Sequence, residues 1–212
     1  MASPFKDGIL KNKVALITGG GSGIGYEIAL QFGIAGAKVA IMGRRVDFLQ
    51  KAVAELEKNN VDAIYVQGDV RDPEISQKVV QEVVNKFGRL DYLVNSAAGN
   101  FLSTAAALTP KGFKTVLDID AVGVFTMSKA AFEELKKTKG VIINISATLH
   151  YGATWFQIHA SAAKAAIDSL TRSFALEWGM YGIRVIGIAP GPIGETAGLT
   201  KLAPGKILVI KK

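Results

Sequence analysis

A chain of 212 residues, 49% apolar and 20% charged, has the composition of an ordinary folded domain. The absence of cysteine removes disulfides, thiol nucleophiles and cysteine-ligated zinc together, and no stretch reaches the roughly 18 apolar residues of a membrane span. A formal charge of +7 suits anionic ligands, but Lys and Arg are scattered rather than interleaved with aromatics, so nucleic acid is not expected.

Met1 to Asp7 lacks the apolar core of a secretory leader, so secretion is not expected. The first element predicted is Val14-Ala15-Leu16-Ile17-Thr18, free of charge and rich in β-formers, as in a strand buried on both faces. Gly19-Gly20-Gly21-Ser22-Gly23-Ile24-Gly25 follows, then Tyr26 to Phe32 with apolar residues at helical spacing. Strand, glycine-dense turn and helix, in that order, form the setting in which a glycine motif binds a dinucleotide. Gly19 is expected to permit a sharp turn, Gly23 the approach of backbone N–H groups to a pyrophosphate, and Gly25 close packing of helix on strand. The helix N-terminus adds unpaired donors and partial positive charge. A purely structural tight turn is the competing reading.

Lys38 to Met42 reads as a second buried strand ending in Gly43-Arg44-Arg45. An NAD-binding chain carries Asp or Glu near this point for the ribose. Two guanidiniums stand there instead, and their forked donors match a 2′-phosphate. NADP(H) is therefore expected over NAD(H), unless Arg44 and Arg45 merely open the next helix.

Val46 to Asn59 has helical spacing, and Ala63 to Val66 is a third strand. Gly68-Asp69-Val70-Arg71-Asp72-Pro73 then turns into a helix ending at Phe87, with Asp72 as N-cap and Pro73 in first position. Tyr92-Leu93-Val94 makes a fourth strand leading into Asn95-Ser96-Ala97-Ala98-Gly99-Asn100-Phe101. One long helix is expected from about Lys111 to Lys137, a fifth strand over Val141 to Ile145, a helix over Ala160 to Trp178 and a sixth strand over Ile183 to Ile188. This alternation predicts a single α/β domain over 1–212, a Rossmann-type doubly wound parallel sheet with helices on both faces. Ligands then sit at the carboxyl ends of the strands.

Thr18-Gly19-x-x-x-Gly23-x-Gly25, Asp69-Val70, Asn95-Ser96-Ala97-Ala98-Gly99 and Pro190-Gly191 occur in an order that resembles the short-chain dehydrogenase/reductase family, from about Lys13 to Leu202. The resemblance implies cofactor contacts from Gly19, Ser22, Gly23, Ile24, Gly25, Arg44, Arg45, Asp69, Val70, Asn95, Ala97, Gly99, Lys164, Pro190, Gly191, Ile193 and Thr196. More narrowly, Ala98 to Leu102, Asp118-Ile119-Asp120, Ile145 to His150 and Pro190 to Ile193 look like the peroxisomal 2,4-dienoyl-CoA reductases, particularly the plant ones.

The family's usual catalytic set is Asn, Ser, Tyr and Lys. Here Lys164 is present, but Ala160 stands at the Tyr position, Ala147 at the Ser position and Asp120 at the Asn position. A ketone reductase needs an acid beside the carbonyl oxygen. Reduction of a conjugated dienoyl thioester does not: hydride adds to the far end of the diene, charge collects on the thioester oxygen, and the proton goes to carbon. A polarised oxygen and a proton source near the α-carbon suffice. The resemblance then implies Asp120 as the proton source, through a bound water. Lys164 holds the nicotinamide ribose and lends positive field to the enolate. Tyr151 is a rival acid, with packing at the pocket mouth as its alternative. Phe101 is implied in the acyl pocket, and Arg71 and Lys201 at the coenzyme A phosphates, against plain packing and solvation. His150, His159 and Asp118 are expected to be structural, and no metal is expected.

The family continues with a further helix and a seventh strand, so the resemblance implies truncation after about Leu202. Ile207-Leu208-Val209-Ile210 is β-prone and tethered by enough chain to reach the open edge of the sixth strand. Lys206, Lys211 and Lys212 are charges that keep such a segment in solution, and the tail is expected to stay loosely attached, with lower stability and weak activity. The activity implied is NADPH-dependent reduction of 2,4-dienoyl-CoA in β-oxidation of unsaturated fatty acids. The resemblance further implies a peroxisomal setting, with a cytoplasmic one as the alternative because no C-terminal address is visible, and self-association of the family's kind. The alternatives are a catalytically silent dinucleotide-binding protein and another short-chain reductase.

Overall fold

The computed structural model describes Lys6, residues 8–194, Thr196 and Leu202. Strand β1 (Val14–Thr18) is buried along its whole length, as a charge-free run inside a sheet requires. Its side chains alternate, Val14 and Leu16 entering one apolar layer and Ala15 and Ile17 the other. The chain continues through α1 (Gly23–Ile34), β2 (Lys38–Gly43), α2 (Val46–Lys58), β3 (Ala63–Gln67), α3 (Pro73–Phe87) and β4 (Tyr92–Asn95). Then come α4 (Pro110–Leu117), a π turn (Asp118–Val122), α5 (Gly123–Thr138), β5 (Val141–Ile145), α6 (Ile158–Trp178) and β6 (Arg184–Ile188). Short 3₁₀ turns stand at Thr148–His150 and Gly179–Tyr181.

All strand pairs are parallel, in the order β3-β2-β1-β4-β5-β6. This is the doubly wound order, and it reverses direction between β1 and β4. There Thr18 lies opposite Asn95 on one side and Met42 on the other, so three strand ends open together. Leu16, Met42, Leu93, Met127, Leu135 and Ile142 fill the layer on one face. Ile17, Ile41, Leu49, Leu56 and Val94 fill the other.

Every predicted strand appears, and every predicted helix but one, with ends moved by up to three residues. Asp72 caps α3, its carboxylate accepting from the Glu74 and Ile75 N–H groups at 2.9 and 3.0 Å, with Pro73 in the first position. The long helix is a correction. Instead of one α-helix from Lys111 to Lys137, α4 and α5 are joined by the π turn, which inserts extra backbone at Asp118–Val122. At the amino end of the sheet, Asp91 accepts from Lys13 Nζ at 3.1 Å, Arg89 Nε at 2.8 Å and the Val14 N–H at 3.1 Å, clasping β1 to β4. The expectations for Lys201 and for 207–210 lie outside the described residues.

Candidate active site

Where the strand order reverses, the carboxyl ends open into a cavity of about 730 Å³. Gly19 turns the chain at the end of β1 with φ +68°, and a Cβ there would lie 2.9 Å from the Ala97 Cα. At Gly25 a Cβ would lie 2.6 Å from the Gly19 carbonyl oxygen and 3.0 Å from the Ser96 hydroxyl. Gly25 thus lets α1 close on the turn itself, a more local contact than the helix-on-strand packing expected. Gly23 has φ +57° and open space beside it. Ser22 is the N-cap of α1 and makes no side-chain capping bond, so the first-turn N–H groups are not claimed by it. Ser22, Gly23, Ile24 and Gly25 all line the cavity. A helix N-terminus open to a cavity and approached through glycines fits a pyrophosphate.

Arg44 and Arg45 line the same cavity at the end of β2, with Asp69 and Val70 after β3. Arg71 forks onto Asp69, its Nε 3.0 Å from Oδ1, and this bond holds the Asp69 carboxyl below the usual carboxylate range. Arg71 itself stands in a separate shallow cleft with Asp72, Pro73 and Glu74.

The opposite wall carries the titratable pair. The π turn presents Asp120, 1% exposed, whose Oδ1 accepts the Gly99 N–H at 2.7 Å. Its Oδ2 lies 3.1 Å from Lys164 Nζ on α6, and that ammonium also donates to the Ile145 carbonyl at 3.2 Å. One carboxylate therefore ties the β4 loop, the α4–α5 junction and α6 together. Thr18 Oγ1 sets the β4 loop by accepting from the Ser96 and Ala97 N–H groups at 3.0 Å each. Ala147 and Ala160 line the same wall, so neither a phenol nor a hydroxyl stands at those two positions. Ala97, Gly99, Pro190, Gly191, Ile193 and Thr196 complete the lining among the predicted residues.

The other predicted site residues fall elsewhere. Asn95 sits beneath the cavity, donating to Ser128 Oγ at 3.1 Å and Asn144 Oδ1 at 2.9 Å, and Asn144 donates on to Thr171. Phe101 lies outside the lining, its ring 4.4 Å from that of His159. Tyr151 is 75% exposed and also outside it. Asp118 pairs with Lys114 at 2.6 Å across one helical turn. His159 is fully buried, and neither ring nitrogen makes a well-formed hydrogen bond among the described residues. Burial pushes its pKa down, against the opposing pull of the Phe101 backbone and the Asp120 charge. Sequence reasoning passed over Phe48 and Ser146, which line the cavity. Phe48 had a readable signal, a position one helical turn after Arg45, and Ser146 had another, its place in the Ile145–His150 stretch that carries the family resemblance.

Residues 13–206 match the family model described as short chain dehydrogenase. The chain belongs to the short chain dehydrogenase family. It is 58% identical to the peroxisomal 2,4-dienoyl-CoA reductase, (3E)-enoyl-CoA-producing, of Arabidopsis thaliana, over 98% of this chain and 73% of that protein. It is 42% identical to the protein of the same name from Danio rerio, over 93% of this chain and 67% of that one. A crystal structure of a short chain dehydrogenase from Bacillus anthracis superposes with a TM-score of 0.85 at 42% identity, covering 89% of this chain and 77% of that one. Actinorhodin polyketide ketoreductase with NADPH superposes with a TM-score of 0.86 at 30% identity, covering 90% of this chain and 74% of that one. No helix among the described residues is long and apolar enough to cross a membrane.

Proposed function

We propose that this chain reduces 2,4-dienoyl-CoA thioesters with NADPH, in the peroxisomal setting that its relatives' names carry. The observation that carries the reading is the Asp120–Lys164 pair at 3.1 Å in the wall of the glycine-lined cavity, beside two alanines. The glycine cradle at the head of α1 takes the pyrophosphate, Arg44 and Arg45 the 2′-phosphate, and Lys164 the nicotinamide ribose. When bound there, the reduced nicotinamide supplies a hydride.

The protein's part is to stabilise the electron-rich thioester and to deliver a proton to carbon. The Lys164 ammonium sets a positive field at the oxygen where charge collects. Asp120, held by the Gly99 N–H and Lys164, keeps acceptor capacity for one O–H of a water whose other proton goes to the α-carbon. Lys164 passes a proton to the Asp120 carboxylate, Asp120 passes it to the hydroxide that the water leaves, and the neutral amine regains its proton from solvent as the product departs. A plain ketone gains little here, because no acid stands where its oxygen would be protonated.

The test is NADPH oxidation by the purified chain with a 2,4-dienoyl-CoA, a 2-enoyl-CoA and a simple ketone. Turnover confined to the dienoyl thioester supports the reading. NADPH binding without turnover on any of the three would make the chain a silent dinucleotide-binding protein, and turnover on the ketone another kind of reductase.

A further inference from the structure

We propose that Phe48 is a specificity-determining residue that holds Arg45 ready for the 2′-phosphate of the cofactor, an inference that rests on the NADPH reading above. Arg45 is the N-cap of α2, with extended backbone, and Phe48 stands three residues on in the first turn of the helix. The guanidinium carbon lies 3.8 Å from the centre of the Phe48 ring, and both residues line the cavity. Leu49, the next residue, is 1% exposed and packs into the core, whereas Phe48 is 41% exposed. The aromatic ring is thus kept at the cavity rim and gives a face to a cation.

That geometry has a chemical consequence. A guanidinium attracted through its flat face keeps its N–H donors free, because they lie in the plane of the group. A phosphate approaches along that plane and takes two parallel N–H bonds. Among the described residues no carboxylate lies within ion-pair distance of Arg45, so the edge is not already spent on an acid. Arg44 differs. Its charge acts on Asp69, whose carboxyl it helps to hold down, and its carbonyl is anchored by Gln67 Nε2 at 3.1 Å. A free arginine surrenders its rotamers when the phosphate arrives; a stacked one has surrendered them on folding, so less is lost at binding.

The experiment is fluorescence titration of the purified chain with NADPH and NADH, for the wild type, Phe48→Ala, Phe48→Trp, Arg45→Ala and the Phe48→Ala/Arg45→Ala double variant. Phe48→Ala is expected to weaken NADPH binding about 2- to 5-fold, the range a cation–π contact at an exposed site supports, with NADH unchanged. Phe48→Trp should keep or tighten NADPH binding. In the Arg45→Ala background, Phe48→Ala should add no further loss, since the ring then has no cation to hold. Equal weakening of both cofactors by Phe48→Ala overturns the proposal, as does the same loss with or without Arg45. A wild type that binds NADH as tightly as NADPH overturns the NADPH reading itself, and this inference with it. A wild type that prefers NADPH but ignores Phe48 overturns only the inference.

Discussion

Asp120 and Lys164 illustrate how one residue's role depends on what holds it. A buried carboxylate is costly alone, and here the Gly99 N–H and the Lys164 ammonium compensate it. Asp120→Ala should lower kcat on a 2,4-dienoyl-CoA by about 10²- to 10⁴-fold, the size of a lost general acid, with NADPH affinity little changed. Lys164→Ala should damage both turnover and NADPH binding. Tyr151, exposed and outside the cavity lining, should tolerate Phe with near-normal turnover. A crippling Tyr151→Phe beside a mild Asp120→Ala, in steady-state kinetics, would show that the acid has been misassigned. For the cofactor, replacing Arg44 and Arg45 together with Ala should weaken NADPH relative to NADH by about 10- to 100-fold, the range of one charge-assisted hydrogen bond. Equal loss for the two cofactors in titration would remove the 2′-phosphate assignment.

Among the elements, α3 and the α4–α5 junction stand at opposite ends of legibility. The cap of α3 is local chemistry: Asp72 precedes Pro73, and its carboxylate reaches N–H groups two and three residues on. Asp72→Ala should therefore cost about 1 kcal/mol, read as a lower urea midpoint with an unchanged slope. The π turn is different, because the helical spacing of apolar residues runs through it without a break. Its counterpart lies in Gly99 on the β4 loop and Lys164 on α6, to which the Asp120 carboxylate is bonded. The glycine turn lies between these cases. Its position was readable, but the Gly25 contact with the Gly19 carbonyl needed coordinates. Gly25→Ala forces a Cβ to 2.6 Å from that backbone oxygen, and should destabilise the fold by about 1–3 kcal/mol while abolishing dinucleotide binding. Thermal unfolding with and without NADPH measures both.

For the whole molecule, two buried titratable groups set the response to acid. His159 is held neutral by burial, so its folded pKa lies below the unfolded value of about 6.5. The unfolded chain then binds the extra proton first, and this contribution to stability is present above about pH 6.5 and is lost as pH falls beneath it. Asp91 acts lower on the scale. Burial opposes its ionisation, but Arg89, Lys13 and the Val14 N–H outweigh it and hold the carboxyl below its ordinary value. Its contribution is present above an unfolded pKa of about 3.9 and disappears as pH falls through the folded one. Urea midpoints against pH should fall in two stages. His159→Gln is expected to remove the upper stage, and Asp91→Asn to shrink the lower, to which the Arg71-bonded Asp69 also contributes. A wild-type midpoint flat from pH 7 to about pH 5 would contradict the first.

What the amino-acid order determined by itself was whatever rests on neighbours along the chain. Apolar runs and helical spacings specify elements, and alternating strands and helices joined by short connections leave little choice beyond a parallel doubly wound sheet. The glycine cradle and the arginine pair were legible for the same reason, since each is a run of adjacent residues. Folding alone decided the contacts made at long range. It placed Asn95 under the cavity in a polar network and set Phe101 against a buried His159. It also brought Asp120 within 3.1 Å of Lys164, through a turn whose geometry no nearby residue specifies. Each of those outcomes depends on which helix crosses which strand end, and that is a property of the packed sheet rather than of any stretch of chain.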